Sequence, residues 1–288
     1  ISVYVPSLIE IGIRQIFILK IYKPQSKNNI LNQANKNITW IDNESAISQK
    51  LKYIIIALKP KDQYNMLLKR KYLDTEKIIL EKPLAQSPSK AIKINNILNS
   101  NNISFDINYS FKYAAWFGKL LIDITNLPND GELFFTWRFR ARHFQHKRDT
   151  WKKYHSAGGG AIRFYGIHLI AITSELGYKD VSQAKAYFKE NDILTSWDCS
   201  LESTMNLPKC TIKINSDSNY NEFSCIYIRG NICHNLLDID SPFPKNSTLN
   251  KSDPRIPALK KFLKSSVATN SYLNTLKLWE KLENNIYY

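Results

Sequence analysis

The first 110 residues alternate short runs of apolar, often β-branched residues with longer amphipathic stretches. Short apolar runs between polar segments are typical of buried strands, and a 3.6-residue periodicity predicts helices. This alternation predicts parallel strand–helix–strand units. The predicted strands are residues 15–20, 38–42, 53–58, 77–83 and 103–109. The predicted helices are residues 63–73 and 87–102, the second with Ser87 as N-cap and Pro88 at its first position.

After residue 112 the pattern changes to long β-forming segments separated by polar breaks such as NSDSNYN. These segments are residues 131–144, 181–190, 196–204, 209–218 and 222–230. The breaks favour an open, mainly antiparallel sheet over further parallel units. Two amphipathic helices follow, at residues 256–267 and 272–285. The sequence therefore predicts an α/β protein with a parallel-sheet domain at 1–110 and an α+β domain at 111–288.

The start of the sequence departs from the usual pattern of a doubly wound domain. Such a domain normally begins with a strand and a G-x-G-x-x-G turn whose amides bind a pyrophosphate. No glycine precedes Gly12, and residues 2–10 have the pattern of the helix that follows such a turn. The hypothesis is that the first strand and the glycine loop are missing from these 288 residues, which are then expected to bind a dinucleotide weakly.

Charge and hydropathy narrow the classes of function. The net charge of +15 would suit a nucleic-acid-binding protein, because clustered Lys and Arg release counterions from phosphates. The basic residues are instead spread along the chain without a recognition motif, so we predict no nucleic-acid partner. The sequence has no run of 18 apolar residues and no N-terminal basic and apolar leader. We therefore predict a cytoplasmic protein that is not associated with a membrane.

The cysteines give no sign of a metal site. Cys199, Cys210, Cys225 and Cys233 lack the paired short spacings of structural zinc sites, and no metal is expected. Reduced thiols on strands are the favoured interpretation, although the spacing alone does not exclude a disulfide.

Two short motifs carry candidate chemistry. Glu81, Lys82 and Pro83 follow a predicted buried strand, at the edge where open α/β sheets bind ligands. A lysine there can hold a substrate hydroxyl and transfer a proton, or it can simply be a solvated residue before a turn. Three consecutive glycines, 158–160, precede a predicted helix that carries His168. They would allow a ligand or a backbone to come close, and packing alone would also explain them.

Three features in this order resemble the glucose-fructose oxidoreductase, inositol dehydrogenase and MocA family. They are EKPLA after a buried strand, the change to an antiparallel sheet, and GGGAIRFYGIH at 158–168. The resemblance extends from about residue 2 to the LWEKLENN helix. It implies a Rossmann domain that binds NAD or NADP, followed by a domain that binds a sugar or nucleotide sugar. It also implies a homo-oligomeric oxidoreductase of carbohydrate metabolism, such as polysaccharide biosynthesis.

The resemblance assigns roles to individual residues. His168 would exchange the proton of the substrate alcohol while Lys82 orients the same oxygen, which makes both of them catalytic. The cofactor-binding candidates are Lys20, Glu81, Lys82 and Pro83. The substrate-binding candidates are Arg140, Arg142, Gly159, Gly160, Arg163 and Tyr165. Lys20 stands where an acidic residue would bind the ribose of NAD, which favours NADP.

The basic and aromatic segment upstream of the glycines suggests an anionic substrate. Arg140 and Arg142, with Arg148, Lys152 and Lys153, can pair with phosphate or carboxylate groups, or form a merely solvated basic loop.

The sequence also departs from the family at one catalytic position. Phe164 stands where many members carry an aspartate four residues before the histidine, and Ala171 replaces a frequent acidic residue. The sequence therefore leaves open an alternative, a catalytically inactive member that acts as a binding or structural protein.

Overall fold

The computed structural model of this protein describes residues 4–23, 35–43, 51–69, 75–203, 207–243, 255–264 and 272–287. Within these ranges the strands form sheets of two, three and seven strands. The helices are α1 (Tyr4–Glu10), α2 (Pro60–Leu68), α3 (Pro88–Ser100), α4 (Ala115–Thr125), α5 (Arg142–Gln145), α6 (Ile167–Leu176), α7 (Arg255–Lys264) and α8 (Tyr272–Asn284). Short 3-10 helices lie at Lys20–Tyr22, Asn35–Asn37, Ser110–Tyr113 and Trp151–Lys153.

All strands described in the first part of the chain are parallel to their neighbours, as the sequence predicts. They are β1 (Ile16–Leu19), β2 (Ile38–Ile41), β3 (Tyr53–Ile56), β4 (Lys77–Leu80) and β5 (Phe105–Ile107). β1 pairs with β2, and β4 lies between β3 and β5. In the described ranges no strand joins β1 to β3. β4 is buried along its whole length, so the residues after Leu80 leave the sheet at a well-fixed edge.

The helices that follow β3 and β4 begin at prolines. Ser87 has an extended backbone and Pro88 opens α3, which confirms the predicted helix start. α2 begins at Pro60, three residues before the predicted position, because Pro60 occupies the first turn, where its missing N–H costs no hydrogen bond.

The seven-stranded sheet confirms the predicted change of pattern. Its strands are β6 (Glu132–Arg140), β7 (Tyr178–Glu190), β8 (Ile193–Ser203), β9 (Lys209–Asn215), β10 (Asp217–Arg229), β11 (Ile232–Ile239) and β12 (Ile286–Tyr287). Their order is β11-β10-β6-β9-β8-β7-β12. The β6–β9 and β7–β12 pairs are parallel and the other pairs are antiparallel, so the sheet is open and mainly antiparallel.

The last two helices pack against both parts of the molecule. Phe262 of α7 lies in a buried cluster with Tyr4 and Ile79, next to the parallel strands. Tyr272 of α8 contacts the ring of Phe105 on β5, while α8 also packs on α6 and β7. The predicted domain boundary at residue 110 stays a prediction, because α7 and α8 from the end of the chain pack into the core around the parallel strands.

The cysteine thiols are free. Cys199, Cys210 and Cys225 are buried on β8, β9 and β10, and Cys233 is exposed on β11. Burial raises the pKa of the three inner thiols, which stay protonated and unreactive. No helix in the described part of the chain has the length and apolar composition needed to span a bilayer.

Candidate active site

Lys82 lies at the carboxyl edge of the parallel sheet, two residues after β4 ends. Open α/β sheets bind their ligands at this edge, because the loops that leave the strands converge there. The Lys82 Nζ donates a hydrogen bond of 2.5 Å to the carbonyl oxygen of Phe164. It also lies 3.7 Å from the centroid of the Phe164 ring. The loop after β4 is thus joined directly to the segment before α6.

Gln63 of α2 holds the loop that carries Lys82. Its Nε2 donates to the carbonyl oxygens of Glu81 and Leu84 at 2.8 and 3.0 Å, and the side chain is fully buried. Buried amides need such partners, so these bonds fix the path of the backbone on both sides of Lys82. A single glutamine inside an amphipathic helix gives no sequence signal for this role.

The Glu81 carboxylate faces inward. The Tyr4 hydroxyl donates to Glu81 Oε1, and the Asn108 Nδ2 donates to the same oxygen at 3.2 Å. Asn108 also donates to the Tyr4 oxygen at 2.9 Å. This network joins α1, β4 and the end of β5, and it was not predicted from the sequence. The structure therefore gives Glu81 protein partners, and its contact with a cofactor stays a prediction.

The three glycines are packed against other parts of the protein. Gly158 and Gly160 have φ angles of +88° and +74°, a region that other residues rarely adopt. A Cβ on Gly158 would lie 2.9 Å from the Pro60 side chain, and one on Gly159 would overlap the backbone at Trp151. A Cβ on Gly160 would lie 3.2 Å from the Leu194 carbonyl oxygen. These contacts support the packing explanation of the triplet, and an approach of Gly159 and Gly160 to a ligand stays a prediction.

The segment Ala161–Gly166 is a π-helix that leads into α6. π-helical turns are rare and occur often at functional sites. The Trp197 Nε1 donates to the Ala161 carbonyl oxygen at 3.1 Å, and a Cβ on Gly166 would lie within 3 Å of the Trp197 indole. β8 therefore fixes the position of the turn that presents Phe164 to Lys82.

His168 is buried in the second position of α6, with 3% of its surface exposed. Its ring stacks on Phe111 with centroids 4.5 Å apart, and Phe243 approaches it edge-on. Nδ1 has no hydrogen-bond partner among the described residues. Burial, with a smaller contribution from the charge of Lys82, holds the pKa of His168 well below its usual value. His168 is therefore a neutral imidazole at pH 7, and its buried Nδ1 has a free hydrogen-bonding capacity among the described residues.

The charge of Lys82 therefore acts on the buried His168 ring, and the shared catalytic role of the two residues stays a prediction. Phe164, which replaces the family's aspartate, supplies a ring face and a backbone carbonyl to the Lys82 ammonium.

The other predicted residues have varied surroundings. Arg163 donates to Glu283 at 2.7 and 2.6 Å and to the His155 carbonyl oxygen at 3.0 Å, so its guanidinium is held against α8. Tyr165 packs edge-on against the rings of Trp137 and Phe139. The structure therefore gives both side chains partners within the protein, and their contact with a substrate stays a prediction.

The remaining basic candidates are exposed. Arg140 lies 3.8 Å from Asp217, and Arg142 begins α5. Lys20 follows β1 and forms a 2.8 Å ion pair with Asp42, which follows β2. The preference for NADP therefore stays a prediction, since Asp42 offsets the charge of Lys20. No group of three or more potential metal ligands occurs in the part of the chain that the structure describes.

Comparison with solved structures identifies the architecture. No protein-family model and no curated protein sequence matches this chain. One similar structure is KijD10, a 3-ketoreductase from Actinomadura kijaniata in complex with NADP and TDP-benzene. The two chains have a TM-score of 0.71 and 10% sequence identity, and the match covers 98% of this chain and 93% of KijD10. This chain has the fold of the glucose-fructose oxidoreductase, inositol dehydrogenase and MocA family.

Two further dehydrogenases with this fold support the assignment. The WlbA dehydrogenase from Thermus thermophilus, in complex with NAD and UDP-GlcNAcA, has a TM-score of 0.70 and 11% identity over 96% of this chain and 88% of its own. A probable dehydrogenase from Thermotoga maritima has a TM-score of 0.72 and 12% identity over 98% of this chain and 94% of its own. The sequence resemblance is therefore confirmed at the level of the fold.

Proposed function

We propose that this protein is an NAD(P)-dependent oxidoreductase that acts on a CH–OH group, or the corresponding ketone, of a sugar or nucleotide sugar. The observation that carries the proposal is that Lys82, which follows β4 at the carboxyl edge of the parallel sheet, lies near enough to the buried, neutral His168 for its charge to lower the pKa of the imidazole. The neighbours with this fold that are bound to NAD or NADP, UDP-GlcNAcA and TDP-benzene support it.

The residues at this edge suit a nicotinamide cofactor. Lys20 and Lys82 stand after β1 and β4, so a dinucleotide that crosses the carboxyl ends of these strands can meet both lysines. The buried Nδ1 of His168, which has no hydrogen bond among the described residues, would be a hydrogen-bonding site near Lys82. When bound, the cofactor supplies the ring that accepts or donates the hydride. No described residue is assigned to the pyrophosphate.

The protein groups handle the substrate oxygen and its proton. The Lys82 ammonium can donate a hydrogen bond to this oxygen, which develops negative charge when its proton leaves. The neutral His168 imidazole can accept that proton during oxidation of the alcohol, and the reverse transfer serves reduction of the ketone. The aromatic rings of Phe111 and Phe243 keep water away from the imidazole.

The remaining assignments belong to the same proposal. Glu81 and Pro83 frame Lys82, Gly159 and Gly160 lie in the loop before the helix, and Arg140 and Arg142 provide charges for an anionic substrate. Arg163 and Tyr165 complete the proposed substrate side.

A catalytically inactive binding protein is the second candidate. The specific observation in its favour is Phe164, whose ring takes the place of a carboxylate next to Lys82. Such a protein would keep the fold and a ligand site without hydride transfer.

The full gene product separates these candidates. Titration of NADH and NADPH, followed by nicotinamide fluorescence, measures cofactor binding, and absorbance at the nicotinamide band measures turnover with a panel of sugars and nucleotide sugars. We expect saturable binding and turnover of one substrate. Binding of a nucleotide sugar without cofactor binding or turnover would favour the inactive protein.

We also expect a homo-oligomer. Large apolar side chains are exposed on the seven-stranded sheet, among them Tyr187, Phe188, Ile228 and Ile232. Exposed apolar side chains on a sheet favour association with a second copy. Light scattering after gel filtration gives the mass of the assembly, and a monomer at micromolar concentration would contradict this expectation.

A further inference from the structure

A cavity of about 410 Å³ lies where β6 ends, where β10 begins, and beside the loop between α5 and the glycines. This volume is in the range of small-molecule sites. Five basic residues line it: Arg140, Lys147, Arg148, Lys153 and Lys189. Four of them lie in the segment 140–153, and the fold brings Lys189 of β7 beside them.

The acidic residues of the cavity already have partners. Asp217 pairs with Lys189 at 2.7 Å and with Arg140 at 3.8 Å, and Tyr154 donates its hydroxyl to Asp149. In the described ranges no ion pair involves the remaining three basic residues. With five basic residues and two carboxylates, the lining of the cavity has an excess of positive charge.

His143 forms part of the wall without adding charge. It is 6% exposed, and burial, followed by the charges of Lys152 and Lys153, lowers its pKa to about 4. The ring is therefore neutral at pH 7. The contribution of the two lysines to its lowered pKa indicates a positive electrostatic potential at this wall.

Backbone hydrogen bonds hold this wall in place. The Ala141 N–H donates to the Ser216 carbonyl oxygen at 2.8 Å, and the Arg148 N–H donates to the His143 carbonyl oxygen at 2.9 Å. Lys147 has a φ of +47°, which turns the chain back after α5. A fixed wall of this kind lowers the entropy cost of binding a ligand.

The cavity is joined to Lys82 by aromatic residues. Lys82 lies 3.7 Å from the Phe164 ring, that ring lies 4.8 Å from Tyr165, and Tyr165 lies 6.4 Å from His143. The wall of the cavity therefore lies two side chains away from Lys82, those of Phe164 and Tyr165.

We propose that this cavity binds the phosphate or diphosphate group of the substrate. The inference rests on the proposed function, since it places the sugar at Lys82 and the phosphate in the cavity. Arginine and lysine are the side chains that recognise phosphate, arginine through paired hydrogen bonds. Phe144 and Tyr154 also line the cavity, and the part of the ligand next to the phosphate would contact them. The substrate class is thus a phosphate-bearing sugar such as a nucleotide sugar.

Binding of inorganic pyrophosphate to the full gene product, measured by calorimetry at low ionic strength, tests the site without requiring turnover. We expect saturable binding that Arg148→Gln and Lys147→Gln each weaken about ten-fold, because a hydrogen bond to a charged group is lost. Lys119→Gln is the matched control. It removes the same charge from the exposed face of α4, outside the cavity, and is expected to change the affinity little.

Each outcome has a distinct meaning. Equal weakening by Arg148→Gln and Lys119→Gln would overturn the inference, because it would show a general charge effect. Tighter binding of a DNA duplex than of pyrophosphate, lost in the same two cavity variants, would also overturn it. Pyrophosphate binding in Lys82→Ala at the level of the unchanged protein supports a separate phosphate site. If nucleotide-sugar turnover is absent while this binding persists, the proposed reaction fails and the phosphate site stands.

Discussion

The ion pair between Arg163 and Glu283 allows a quantitative test of how the site is supported. It joins the π-helix before α6 to α8 through two hydrogen bonds, and the side chains are only 12% and 11% exposed. The Trp279 Nε1 donates to the same carboxylate at 2.8 Å. Glu283→Ala removes the acceptor of all three bonds and leaves the guanidinium of Arg163 buried without its counter-charge.

Breaking a buried pair from one side costs about 3 to 5 kcal/mol. For a chain of this size each kcal/mol lowers Tm by about 2–4 °C. We therefore expect Glu283→Ala to lower Tm by about 6 °C or more, measured by circular dichroism during heating. Lys281→Ala is the control on the same helix, because its pair with Asp180 is half exposed and contributes less than about 1 kcal/mol.

The double variant Arg163→Met with Glu283→Leu separates the pair from its surroundings. It should be more stable than the sum of the two single losses predicts, since neither charge remains buried alone. If Glu283→Ala melts within about 2 °C of the unchanged protein, less than 1 kcal/mol has been lost and the reasoning is wrong.

Three further predictions follow from buried charges and rings. Lys77 forms an ion pair of 2.5 Å with the buried Asp106. Lys77→Ala should lower the free energy of unfolding, measured with urea, by about 3 kcal/mol or more, because the Asp106 charge would stay buried without a partner. A loss below about 1 kcal/mol would contradict this reasoning. Phe164→Leu should lower kcat up to about 30-fold by removing the ring face under Lys82, whereas Phe164→Tyr should retain activity; equal kinetics of both variants would contradict this role. Burial keeps three histidines neutral in the folded protein: His143, His155 and His168. As the pH drops from 6.5 towards 4, the free energy of unfolding should therefore fall by about 1.4 kcal/mol per pH unit for each histidine. A urea midpoint that stays constant over this pH range would contradict the prediction.

Local patterns in the sequence were sufficient to predict most of the fold. Alternating apolar runs predict β3 to β5, Pro88 predicts the start of α3, and the long β-forming segments predict the mainly antiparallel sheet. These features depend on residues that are close together in the chain. The roles of Lys82 and His168 were assigned through the resemblance to a family rather than through periodicity, and they stay a prediction.

Contacts between distant residues could not be predicted in this way. Arg163 and Glu283 are 120 residues apart, and nothing in the local sequence of either predicts the other. Lys189 and Asp217 reach the basic cavity only because β7 ends and β10 begins beside the loop after β6. The glycine triplet predicts a close approach, but only the structure shows that backbone and side chains of the protein occupy the space. Pairings of this kind depend on the tertiary fold.

The most direct test of the central claim is the turnover of Lys82→Ala and His168→Ala in the full gene product with its cofactor and substrate. Loss of a positioned acid or base lowers kcat by about 10² to 10⁴, and we expect a fall in this range for each variant with the circular dichroism spectrum unchanged. The double variant should lose less than the product of the two effects, because both residues act on one oxygen. Lys93→Ala and His234→Ala, which change exposed residues of the same types, should keep full activity. Full turnover by both Lys82→Ala and His168→Ala would contradict the account.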